Sequence, residues 1–202
     1  LPFLTYLSAP LQCVKSTSPA LISASLPDLK TLDITEHIAD SSAITHLISR
    51  TPKLEKLNVF LVEDMDTLVA DANGFHVESH AGMWKALASA LASVSGTLKT
   101  LKISVDLAAT NLHVQYILDE DWVFGISERR GGLGTLVGLE RLTKLEMPMY
   151  LLFGRSAGGE VKLREMLPRG LRVLTLRDDY VFDEDLGNCS PEAVVPILEG
   201  YL

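Results

Sequence analysis

Cysteine is scarce: the chain has two, Cys13 and Cys189, far apart in a sequence of 202 residues. Two such residues build neither a disulfide framework nor a zinc pattern, so the expected compartment is a reducing one, cytoplasmic or nuclear. Missing too is any apolar run near the roughly 18–20 residues that span a bilayer. The opening Leu1-Pro2-Phe3-Leu4 carries neither a basic segment nor a small-residue cleavage site. A soluble chain with no membrane partner is expected. The first residue is not Met and the first residues already read as folded sequence, so a fragment of a longer protein is expected as well. Basic side chains are the minority, 18 against 26 acidic, giving a net charge of −8 and a pI near 5.1. That balance argues against nucleic acid and anionic lipid and admits a basic partner. No serine elbow and no cysteine beside a plausible base occurs, so no catalytic residue, cofactor or enzymatic activity is expected.

Leucine is what the chain has. Leu29-x-x-Leu32-x-Ile34 returns as Leu54-x-x-Leu57-x-Val59, Leu98-x-x-Leu101-x-Ile103, Leu142-x-x-Leu145-x-Met147 and Leu171-x-x-Leu174-x-Leu176. Five copies of one apolar frame predict a repeat architecture in which each copy contributes a short strand and leans on its neighbours. The step from Leu32 to Leu57 is 25 residues, the next two are 44 each, and the last is 29. The long steps predict excursions at about 63–80 and 106–134 in one domain spanning 1–202.

Between the strands the signals are helical. Ser18-Pro19 predicts a short helix to about Leu26, stopped by Pro27. Ser41 or Ser42 predicts the cap of a helix with Ile44, Leu47 and Ile48 on one stripe, ended by Pro52. Gly82 to Val94 predicts a helix buried along Trp84, Leu87, Leu91 and Val94, Val161 to Leu167 another, and Ser190-Pro191 a last one through Val194, Val195 and Leu198. Leu4-Thr5-Tyr6-Leu7 alternates like a worn first strand, followed by a Ser/Thr/Pro-rich turn.

These frames resemble leucine-rich-repeat proteins, and Met166-Leu-Pro-Arg-Gly-Leu-Arg-Val-Leu-Thr-Leu-Arg-Asp-Asp179 is similar to the repeats that follow the F-box in fungal F-box proteins. The resemblance implies an α/β fold, an irregular leucine-rich-repeat-like solenoid with a parallel strand ladder on one face and helices on the other. It also implies the substrate-recognition part of a ubiquitin ligase adaptor, bound to Skp1 through sequence outside these residues, since they contain no F-box. The family's Asn or Cys after the strand is replaced here by His37, Val62, Asp106, Tyr150 and Asp179, so irregular loops are expected.

Candidate partner-binding residues fall in three groups. The first is the set between the inward leucines, Lys30, Lys56, Lys99, Lys102, Lys144 and Arg172, a locally basic stripe that would suit an acidic peptide or simply solubilise the face. The second is Trp122 and Phe124 with Tyr116, either the core of an inserted hairpin or an exposed contact. The third is Asp178, Asp179 and Tyr180, which open an acidic run to Asp185: a solvated loop or a docking surface for a basic partner. His76 and His80 have a spacing that could grip a metal on a helix, but without the neighbouring glutamate of a metalloprotease, and no metal site is expected. Arg129 to Gly134 lacks the ending of a phosphate loop, and Asn188-Cys189-Ser190 matches a glycosylation sequon only by chance. The resulting expectation is a protein-protein interaction scaffold. The alternative is an α/β enzyme with its site beyond the strand ends, near Asp178, Asp179 and the histidine pair.

Overall fold

The computed structural model describes residues 3–12, 25–37, 41–64, 80–108, 133–153 and 163–177, with Val195 and Leu198. Among the described residues six strands form one sheet: β1 Tyr6–Gln12, β2 Thr31–His37, β3 Lys56–Asp64, β4 Thr100–Ala108, β5 Lys144–Pro148 and β6 Val173–Arg177. Every pairing is parallel and the spatial order is the sequence order. The described helices are α1 Ser41–Ser49, α2 His80–Ala92, α3 Met149–Phe153 and α4 Leu163–Met166. The protein is therefore mixed α/β with a parallel six-stranded sheet.

The register explains the repeat. Leu7 lies opposite Leu32, Leu32 opposite Leu57, then Leu101, Leu145 and Leu174 in one line across all six strands. Leu32, Leu57, Leu101 and Leu145 are fully buried. Side chains alternate across a strand, so Ile34, Val59, Ile103 and Met147 enter the same core while their neighbours face outward. The sheet's inner side shares one apolar cluster with Ile44, Leu47 and Ile48 of α1, Trp84, Leu87 and Leu91 of α2, and Leu151 and Leu152 of α3. Helices α1 and α2 pack against each other, with the Thr45 hydroxyl donating to the Ala86 carbonyl at 3.4 Å.

The first leucine of each frame sits outside the strand. Leu29, Leu54, Leu98 and Leu142 are fully buried in the turn that precedes it. Backbone bonds from Leu29 to Leu26, Leu54 to Thr51, Leu142 to Leu139 and Leu171 to Pro168 close these turns at 3.0–3.2 Å. The turns dock on one another. The Thr5 carbonyl accepts from the N–H groups of both Lys30 and Thr31; the Lys30, Glu55, Lys99 and Thr143 carbonyls each accept the next pair in the same way, all at 2.8–3.1 Å. Lys53 adds an ion pair of 2.7 Å to Asp28 one turn away, and the Thr97 hydroxyl reaches the Pro52 carbonyl.

Several expectations need correction. Strand β1 runs on through Ala9 and Pro10 to Gln12, where the sequence suggested a turn. Proline lacks the N–H that a central strand must donate, but β1 has a described partner on one side only, a position that accepts it. The strand beginning at Leu54 starts at Lys56, and the excursions begin later than 63 and 106 because β3 extends to Asp64 and β4 to Ala108. Helix α2 starts at His80 and ends before Val94, which is buried in the following turn. The second excursion rejoins the core at Leu133, before its expected end. Ser25 and Leu26 are not helical, and the rest of the helix expected there lies outside the described residues. Val195 and Leu198 are helical, and Leu198 packs on the core.

Truncating a central rung should cost far more than truncating a terminal one. Leu57→Ala and Leu101→Ala should each lower stability by about 2–5 kcal/mol, and Leu174→Ala, half-buried, by less. Urea midpoints of the three variants check this, and equal losses would contradict the ladder.

Candidate functional site

The outward face of the sheet is the surface on which the described polar side chains converge. Alternation along β2, β3 and β4 lifts Thr31, Asp33 and Thr35, then Lys56, Asn58 and Phe60, then Thr100, Lys102 and Ser104, away from the leucine core. Register makes these into rows. The middle row reads Ser8, Asp33, Asn58, Lys102, Glu146, Thr175, and the row before it reads Tyr6, Thr31, Lys56, Thr100, Lys144, Val173.

The middle row is knitted together by its own side chains and by those of the rows beside it. The Tyr6 hydroxyl donates to Asp33 Oδ2 at 2.7 Å, and the Asn58 amide donates to Asp33 Oδ1. The phenol is held above its ordinary pKa by that bond to the Asp33 carboxylate. On the other side Lys102 Nζ lies 2.7 Å from Glu146 Oε1, and Arg177 Nη1 lies 3.4 Å from the same oxygen and 2.9 Å from the Ser104 hydroxyl. Hydrogen bonding from Lys102, reinforced by the charges of Lys102 and Arg177, keeps the Glu146 carboxyl below its usual range. Between these clusters lies an open depression of about 330 Å³, lined by Asp33, Asn58, Phe60, Lys102, Ser104 and Arg177. Asn58 Oδ1 and Trp84 Nε1 are buried without a hydrogen-bond partner among the described residues. Each such atom costs about 1–3 kcal/mol.

Of the residues singled out in the sequence, the strands place Lys56, Lys102 and Lys144 on this face, while Lys30, Lys99 and Arg172 stand one residue before their strands, at its margin. Lys99 is tied to Glu55 at 2.8 Å, which lowers the glutamate's pKa, and Lys102 is tied to Glu146. Lys30, Lys56, Lys144 and Arg172 are exposed and form no ion pair with a described residue. Trp122, Phe124, Tyr116, Asp178, Asp179 and Tyr180 lie outside the described residues, as do His76, Cys13, Cys189 and the glycosylation sequon. His80 opens α2. No group of three or more His, Cys, Asp or Glu among the described residues could hold a metal ion. No described helix is long and apolar enough to cross a membrane.

Sequence reasoning missed Arg177 and Ser104. Both lie past the last leucine of the frame, at positions where the alternation continues outward: Ser104 follows Ile103, and Arg177 follows Leu176. Extending the strands by one residue would have found them. It also missed Leu133, Leu136 and Leu139, buried at every third residue with no helix. Leu133 N–H donates to the Leu151 carbonyl and Leu136 N–H to that of Met166, so this segment ties α3 and α4 together.

Glu146 makes the electrostatics testable. A carboxylate with a lowered folded-state pKa stabilises the protein above its unfolded value, about 4.3, and that contribution is lost as pH falls through the folded value. Glu146→Gln should therefore cost a few tenths to about 1 kcal/mol at pH 7 and leave a flatter decline in stability below about pH 4. Urea midpoints at pH 7 and pH 3.5 read both effects, and a Gln variant declining as steeply as the parent would contradict them.

Comparison with known proteins finds no family model, no curated protein and no solved structure that matches the chain.

Proposed function

We propose that the protein is a recognition scaffold, a leucine-rich-repeat-like solenoid that binds another protein on the outward face of its sheet. The observation that carries this reading is the face itself: six parallel strands in sequence order, whose described outward side chains, Ser104 and Pro148 apart, stay half-exposed or exposed. A surface built this way grows by one strand per repeat and offers a broad, graded set of side chains, which suits macromolecular recognition better than a small substrate. Phe60 and Val173 supply exposed apolar area on that face, 37% and 46% accessible, beside the depression and the free cations. The strands depart from the short ones expected of leucine-rich units. Paired residues continue through His37, Val62 and Asp106, so the ladder lengthens where the family's polar turn would stand.

An adaptor role in a cullin-type ubiquitin ligase is the narrower form of the same proposal. It rests on the resemblance of Met166 to Asp179 to fungal F-box proteins and requires an F-box outside these 202 residues.

Quantitative affinity purification of the full-length protein tests both levels. Partners captured by the parent should be lost by about tenfold or more with Phe60→Ala combined with Thr175→Trp, a neutral block on the face. They should be retained with Lys85→Gln on the exposed side of α2. Partners indifferent to the face variant would overturn the scaffold reading. Absence of Skp1 and a cullin from the captured set would remove the ligase reading alone.

A further inference from the structure

The described side chains of the recognition face and of its margin are net cationic, opposite in sign to the chain. They include Lys30, Lys56, Lys99, Lys102, Lys144, Arg172 and Arg177, against Asp33, Glu55 and Glu146, in a protein of net charge −8. All three anions are occupied from within the sheet. Asp33 accepts from Tyr6 and Asn58, Glu55 pairs with Lys99, and Glu146 holds both Lys102 and Arg177. What remains without an ion partner is cationic: Lys30, Lys56, Lys144 and Arg172, all exposed and all at the margin where the strands begin.

We infer that this margin docks an acidic, extended peptide segment of a protein partner, lying across the strands. The inference rests on the reading of the sheet's outward face as a recognition surface and supplies its chemistry. Lys56 and Lys144 stand in one register row on either side of Thr100. Lys30 and Arg172 stand one residue before their strands, at positions linked by the repeated pairing of one carbonyl to two N–H groups. Neighbouring strands lie about 4.8 Å apart, so the row from β2 to β6 is about 19 Å long, the reach of about six extended residues. Ammonium and guanidinium groups along that line would each meet a carboxylate without displacing an existing ion pair. At physiological salt the field of a charge is screened beyond about 8 Å, so a short acidic segment held on this margin feels its cations more than the distant anions of the chain. A long polyanion would run beyond the margin into that negative field, which disfavours nucleic acid.

The probe is a fluorescein-labelled octaglutamate peptide, followed by anisotropy, with octalysine and octathymidylate in parallel. Octaglutamate should bind the parent, and its Kd should rise at least about tenfold in the double variant Lys56→Glu/Lys144→Glu. Lys85→Glu on α2 should change it less than about twofold, since both variants add negative charge but only one does so on the face. Unchanged urea midpoints establish that the variants fold. Failure of octaglutamate to bind, equal loss with Lys85→Glu, or equal binding of octathymidylate would overturn the inference. The two readings fail separately: a partner lost with Phe60→Ala/Thr175→Trp but indifferent to Lys56→Glu/Lys144→Glu keeps the recognition surface and removes the acidic ligand.

Discussion

A leucine side chain on a two-layer sheet can hide only if another leucine stands one strand away, and that requirement organises this protein. Leu32, Leu57, Leu101 and Leu145 reach zero exposure because each is flanked on both sides by its counterpart and backed by the core shared with α1, α2 and α3. Burying such a side chain contributes about 1.5–3 kcal/mol, which is insufficient for one repeat to fold against its own chain entropy. The repeats therefore hold each other, and the half-buried Leu7 and Leu174 at the two ends of the described sheet show the same rule from the opposite direction.

The inner face settles the outer one. Once register is fixed by the leucines, the polar side chains between them have no choice of neighbour, and like or unlike charges meet across strands according to spacing in the sequence. Glu146 falls beside Lys102 because Leu145 falls beside Leu101. The same logic sets Asn58 against Asp33, and it distributes the lysines so that Lys99 and Lys102 are neutralised while Lys30, Lys56 and Lys144 are not.

Much of this was legible from the leucine frame. Strand positions, inward residues and the outward lysines follow from a period that survives two long interruptions, and Trp84, Leu87 and Leu91 lie buried on the helix their spacing predicts. The first strand was nearly invisible. Its frame, Leu4-x-x-Leu7-x-Ala9, ends in alanine, too small to register as an apolar rung, although Ala9 pairs directly with Ile34. Arg177 and Ser104 were hidden because the frame stops at its third apolar residue while hydrogen bonding carries the strand further. The convergence of Arg177 on Glu146, from the adjacent strand, is a property of register that no local window contains.

The carbonyl that accepts two N–H groups at the base of each strand has an architectural consequence. Thr5, Lys30, Glu55, Lys99 and Thr143 fasten successive strand starts in the same manner whether the chain between them is 25 or 44 residues long. The joint is thus indifferent to what is spliced between joints. Segments can lengthen, shorten or be exchanged on such a frame while the spacing of the strands stays constant, which separates the part of the molecule that must be conserved in shape from the part that is free to diversify.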